Sequence, residues 1–121
     1  MAGNYVQPGE VIDFTAAAAT VSGQVVRVGQ LLGVALQAVA QSAVGPAQIT
    51  GVFTVPKVSG AVIAQGESLV WDASAAAFDD NAATPASGDV SGAAAVAFEA
   101  AGNGVTSFKV KFTGTPGTLT P

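Results

Sequence analysis

Apolar and polar residues alternate through much of the chain, which predicts short β-strands with one buried face. The clearest case is Val105 to Thr113, where every second residue from Phe108 to Phe112 is apolar and lysines stand between them. The segment Ile49 to Val55 alternates in the same way and is predicted to end at Pro56, which has no N–H to donate to a ladder. Both segments are therefore predicted to be half-buried strands.

The middle of the chain, Thr50 to Asp72, holds the only tryptophan. Leu69 and Trp71 share one face of a second predicted strand there, and Val70 falls on the other face. We expect this strand and the one ending at Pro56 to belong to one wall of a barrel or sandwich, with Trp71 in the core.

Upstream, Glu10 to Thr15 predicts a first strand, and Gln24 to Val28 predicts a hairpin with Leu31 to Leu36 across the Gly29-Gln30 turn. Leu31 to Val44 admits two interpretations. Its leucines and valines also follow helical spacing. Gly33, and Gly45-Pro46 after it, favour a strand followed by a loop.

Downstream, Ala75 to Phe78 predicts a short strand before the polar loop DDNAATPASGD. The stretch Gly92 to Ala100 places Ala94, Val96 and Phe98 on one face of a strand. A tight hairpin at Ala101 to Gly104 should lead into the final strand.

These elements predict an all-β domain, a small β-barrel or β-sandwich of short antiparallel strands. We expect an extended N-terminal arm at residues 1–9, the β-domain at residues 10–114 and a loose C-terminal tail at residues 115–121.

Composition narrows the function classes. Half of the residues are hydrophobic but many are alanine, so each buried position removes little apolar area from water. Only 10% of the residues are charged, so the surface is made mainly of small and uncharged polar side chains. Such a surface suits packing against other protein. A net charge of −4 with four basic residues argues against nucleic acid as a partner. The N-terminus lacks signal-peptide features and the longest apolar run is too short to span a membrane, so we expect a soluble, cytoplasmically made protein without a membrane partner.

Candidate chemistry is sparse, since the chain has neither histidine nor cysteine. Asp79, Asp80, Asn81 and Asp89 could bind a cation but are more typical of a solvated loop. Carboxylates suited to glycoside hydrolysis are Glu10, Glu67, Asp72 and Glu99, with nothing that singles out a pair. We expect no catalytic residue, metal or cofactor.

Lys109 and Lys111 share one face of the last strand. They are interpreted either as a solvated face or charged edge that blocks aggregation, or as a contact for an acidic partner.

Several segments together resemble the phage head decoration, or capsid cement, family, which was long a domain of unknown function and whose relatives are sometimes labelled recombinases. They are NYVQPGEVIDFTA, VVRVGQLLGVAL, TGVFTVPKVSG with AQGESLVWD, and AAAVAFEAAGNGVTSFKVKFTG. The chain differs from the family pattern in the loop Ala73 to Val90 and in the tail after Gly114. It also lacks the phosphate loop that a nucleotide-driven recombinase would need.

The resemblance implies a small β-fold that sits as a homotrimer on the outside of an icosahedral head, binds the major capsid protein and reinforces the shell. Tyr5, Gln7 and Pro8 in the arm are the candidate capsid contacts. The alternative is a carbohydrate- or surface-binding module displayed on a virion. Sugar binding requires exposed aromatic side chains, and most aromatic residues here fall on predicted core faces.

Overall fold

The computed structural model describes residues 3–4 and 7–121. Within these residues the chain forms eleven β-strands and no helix. The strands are β1 (Val11–Thr15), β2 (Val25–Val28), β3 (Leu31–Ala35), β4 (Val44–Gln48), β5 (Thr50–Pro56), β6 (Val70–Asp72), β7 (Ala77–Asp79), β8 (Val90–Ser91), β9 (Ala95–Ala97), β10 (Ser107–Thr113) and β11 (Thr118–Leu119).

The strands form three antiparallel sheets, in the orders β1-β4-β3-β2, β5-β10-β9 and β11-β8-β6-β7, called here the first, second and third sheets. Single bridges join the second sheet to the third at both sides, Ser68 to Val96 and Lys57 to Phe78. The strands therefore follow one another round a barrel-like circuit, and the prediction of a small all-β fold is confirmed.

Phe78 lies at the centre of the main core and is fully buried. Three aromatic rings meet it edge-on, those of Trp71, Phe108 and Phe112, with centroid distances of 5.0, 6.5 and 5.9 Å. Edge-to-face pairs of this kind add to the free energy gained by burying the rings. The predicted core position of Trp71 is confirmed.

The first sheet is buried on both faces. Val25 and Leu32 face the main core, whereas Val26 and Ala35 pack with Phe14 in a second, smaller cluster. Two buried faces explain why these strands read as continuous apolar runs instead of alternating.

Segment 31–45 is a strand followed by a loop, as favoured above, and the hairpin of β2 with β3 is confirmed. Gly33 has a packing reason to be glycine. A Cβ on this residue would lie 2.8 Å from the Gln48 carbonyl oxygen, so only glycine permits this close approach of β3 to the following chain.

One prediction about the middle of the chain is wrong. The strand that ends at Pro56 and the strand that holds Trp71 belong to different sheets, because the chain turns from the second sheet into the third at Leu69–Val70. Val70, on the face of β6 opposite Leu69 and Trp71, is buried as well.

Strand β9 buries its alanines. Ala95 and Ala97 point into the core, while Val96 is half-buried and Phe98 is 48% exposed. Ala95 lies opposite Phe112 on β10, whose ring fills the space between the sheets and leaves room for little more than a methyl group. The connection to β10 is residues 98–106, longer than the tight hairpin predicted.

The C-terminal tail is held, contrary to the expectation of a loose segment. β11 pairs with β8, and the Gly117 N–H donates to the Gln30 carbonyl at 2.9 Å. These contacts join the tail to both the first and the third sheets.

Candidate functional surfaces

The outer face of the second sheet carries two rows of side chains. On β10, Lys111 lies between Val52 and Val96, and Lys109 lies opposite Thr54, with Phe98 on its other side. We call these six residues the lysine face. Both lysines are exposed, and they lie on the central strand of the sheet. The interpretation of a charged edge is therefore wrong, while the contact with an acidic partner stays a prediction.

Phe98 is held in place although its side chain is exposed. Its N–H donates to the Lys109 carbonyl at 3.0 Å, and its carbonyl accepts a hydrogen bond from Gln65 Nε2 at 3.2 Å. The Lys109 N–H in turn donates to Glu99 Oε1 at 3.1 Å. An aromatic side chain on a fixed backbone loses little entropy on binding a partner, so Phe98 is suited to act as an anchor.

The arm residues Gln7 and Pro8 are exposed beside β1, and Tyr5 lies outside the described residues. Gln7 Nε2 donates to the Val11 carbonyl at 3.0 Å. These two arm residues line a shallow cleft with Glu10, Val11 and Asp13.

The backbone of β1 has one free edge, because β1 ends the first sheet. The Glu10 carbonyl accepts a hydrogen bond from the Ile49 N–H, and the Ala16 N–H donates to the Ala43 carbonyl, so both residues direct their backbone groups toward the β4 side. Alternate residues of an antiparallel strand direct these groups the same way. Val11 and Asp13 therefore turn their N–H and carbonyl groups to the free side, as the Gln7 hydrogen bond to Val11 shows.

The acidic loop uses its carboxylates to hold its own backbone. Buried Asp89 accepts hydrogen bonds from Ala73 N at 3.0 Å and Ala86 N at 2.9 Å through its two oxygens. Asp80 accepts one from Ala82 N. In the described part of the chain, no group of three or more acidic side chains is placed to hold a metal ion.

The four carboxylates considered for glycoside hydrolysis have separate surroundings. Glu67 binds Ala64 N and Asn81 N. Asp72 accepts from Ser74 Oγ at 2.8 Å and from two backbone N–H groups, and the Ser74 hydroxyl is the main cause that lowers the Asp72 pKa. Among the described residues, neither Glu67 nor Asp72 shares a hydrogen-bond partner with Glu10 or Glu99.

Lys57 is buried, which the sequence did not indicate. Its Nζ donates to the carbonyls of Val58, Ser59 and Val105 at 2.8, 3.3 and 3.1 Å. The ammonium group thus ties the loop after β5 to the loop before β10. The only feature of the sequence that bears on the burial of Lys57 is its position directly after Pro56, where the strand ends.

A second cleft lies beside Trp71, lined by the β2 entry at Ser22 to Val25, by Pro56 and by Ala73 and Ala76. Its walls are mostly small side chains and backbone. Among the described residues, no helix has the length and apolar character needed to cross a membrane.

A family model described as "Phage cement protein" matches residues 6–112, most of the chain. No curated protein matches the sequence.

Proposed function

Since the chain belongs to the phage cement protein family, we propose that it binds the outside of a phage head as a homotrimer and stabilises the shell. Its partner there is the major capsid protein. The protein is made in the host cytoplasm, acts without catalysis and takes its place on the virion. The observation that carries the proposal is the family match over residues 6–112, joined to an all-β fold.

The surface chemistry supports this role. Several exposed aliphatic side chains, Val21, Val44 and Val62, are each 64–65% exposed. With few charged residues around them, such side chains lose little by desolvation when another protein covers them. A trimer would present each contact three times to a symmetric lattice, and simultaneous contacts raise the overall affinity well above that of one site.

We propose that the arm, residues 1–9, makes part of the capsid contact through Tyr5, Gln7 and Pro8. Gln7 and Pro8 are both exposed and are therefore accessible to a capsid partner. Among residues 3–4 and 7–121, the core clusters begin at Phe14, so we expect the β-domain to keep its core without the arm.

The test uses expanded heads that lack decoration, incubated with purified protein, and measures the bound copies per head and the temperature at which the heads break. The full chain should bind saturably and raise that temperature. Deletion of residues 1–9 should reduce binding while the circular dichroism melt of the free protein is unchanged. The exposed-loop variant Asn103→Ala serves as the control. Full-chain protein that neither binds nor protects the heads would contradict the proposal.

The carbohydrate-binding alternative gains one observation, the exposed ring of Phe98. An aromatic ring can stack on a sugar face, but its neighbours here are Lys109 and aliphatic groups. Binding on a glycan array that disappears in Phe98→Ala would favour this alternative over capsid decoration.

A further inference from the structure

We propose that the lysine face binds a second copy of this chain, at the acidic β1 edge, in a head-to-tail contact. The acidic β1 edge is the exposed strip of Glu10, Val11 and Asp13. The inference rests on the proposed trimer and names the surfaces that form it.

Clustering of charge singles out the lysine face. The chain has four basic residues. Lys57 is buried, Arg27 is exposed on β2, and Lys109 and Lys111 stand side by side on β10. Two of the three exposed cations thus share one outward face, about 7 Å apart along the strand.

Apolar side chains surround these two charges. Val52 is 43% exposed and Phe98 48% exposed on either side of β10, with half-buried Val96 between Lys111 and the sheet border. An anchored aromatic beside aliphatic groups is typical of a protein interface, and the pair of lysines next to it would select an acidic partner. Its partner should offer carboxylates beside apolar or backbone groups.

The chain itself offers such a partner surface. Six of its eight carboxylates accept hydrogen bonds from its own groups, namely Glu67, Asp72, Asp79, Asp80, Asp89 and Glu99. Among residues 3–4 and 7–121, Glu10 and Asp13 accept none, and both are exposed. They flank half-buried Val11, whose backbone lies at the free edge of the first sheet.

Two different surfaces that complement each other make a heterologous contact, which closes into a ring when the rotation between subunits allows. The lysine face is on the second sheet and the acidic edge is on the first, so one subunit can use both at once. Opposite charges would also set the orientation of the contact, because two lysine faces or two acidic edges repel.

The test reverses the charges on each surface and measures the mass of the protein in solution by analytical ultracentrifugation at low salt. Lys109→Glu with Lys111→Glu, and separately Glu10→Lys with Asp13→Lys, should each weaken self-association about tenfold or more. The four changes combined should restore it. An equimolar mixture of the two double variants should form mixed complexes but no closed trimer, because a ring of three must contain one contact between two copies of the same variant, whose facing charges repel. Arg27→Glu is the control and should keep the mass of the unchanged protein.

Thermal melts of all variants show whether the exposed positions leave the fold intact. A monomeric unchanged protein, or double variants that keep its oligomeric mass, would overturn the inference. So would a combined variant that stays monomeric. If the double variant with Lys109→Glu and Lys111→Glu keeps the oligomeric mass of the unchanged protein but no longer binds heads, the lysine face contacts the capsid and not a second copy. Capsid binding by the unchanged protein is measured separately, so the proposed function can stand when this contact fails.

Discussion

Ala95 lies directly opposite Phe112 across the β9–β10 ladder, and both side chains point into the main core. The phenyl ring is 1% exposed and the methyl group facing it is equally buried. The pair explains why β9 turns its small residues inward and leaves Phe98 outside.

Enlarging Ala95 should therefore be costly. We expect Ala95→Leu to lower the free energy of unfolding by about 1–3 kcal/mol, because the extra carbon atoms must displace the Phe112 ring. Urea denaturation of the two proteins measures this difference. The matched control is Val96→Leu on the outward face of the same strand, which should change stability by less than about 0.5 kcal/mol. Equal effects at the two positions would contradict the inward placement of Ala95.

Lys57 should contribute to stability through its three carbonyl contacts. Lys57→Met keeps most of the side-chain volume but removes the ammonium donor. The Val105 carbonyl loses its donor, whereas the carbonyls of Val58 and Ser59 keep backbone hydrogen bonds from Ala61 and Gly104, and we expect a cost of about 1–3 kcal/mol. Amide hydrogen exchange should accelerate in the loops on either side, residues 58–61 and 98–106. Lys109→Met, at an exposed position, is the control. A Lys57→Met protein as stable and as protected as the parent would show that the buried ammonium is dispensable.

Asp72 should stabilise the fold at neutral pH and lose that effect in acid. Its pKa in the folded protein is lowered, chiefly by the Ser74 hydroxyl, so the ionised form is favoured by folding. Its contribution is therefore complete above the ordinary aspartate pKa, about 4, and falls as the pH drops through the lowered folded value. NMR titration should show the Asp72 pKa rising toward its ordinary value in Ser74→Ala, and an unchanged titration would contradict the assigned cause.

The stability of Asp72→Asn should differ from that of the parent at pH 7, and the difference should be smaller at pH 3, because the contribution of the carboxylate is lost as the pH falls below the unfolded pKa of about 4 toward the lowered folded value. Denaturant midpoints at the two pH values measure this. A difference that is constant with pH would mean that the Asp72 charge does not act on folding.

Docking of the tail should require glycine at position 117. A Cβ there would lie 2.5 Å from the Ser91 carbonyl oxygen, so Gly117→Ala must displace β11 or β8. We expect a loss of about 1–3 kcal/mol, as for other overpacked sites. Gly102→Ala is the control, since a Cβ at Gly102 meets nothing within 4 Å. If the two variants unfold at the same denaturant concentration, the tail is not packed as described.

The alternation of apolar and polar residues was sufficient to predict a strand and its buried face where one face of the strand is exposed and the other is buried. β10 is the plainest example, with Phe108, Val110 and Phe112 buried and both lysines exposed. The hairpin of β2 and β3 was predictable as well, since Gly29 adopts the positive φ that its turn requires. The all-β class and the family resemblance followed from such segments and their order.

Tertiary structure alone decided which face of β9 is buried, where Lys57 lies and which residues meet at the lysine face. Every residue from Ala94 to Phe98 is apolar, so the sequence has no alternation of apolar and polar residues that would indicate the buried face. Which face is buried depends on how much space the Phe112 ring leaves. The burial of Lys57 depends on carbonyls from a loop that lies 48 residues away in sequence. Contacts between distant segments set these positions, and alternation along a single strand carries no information about them.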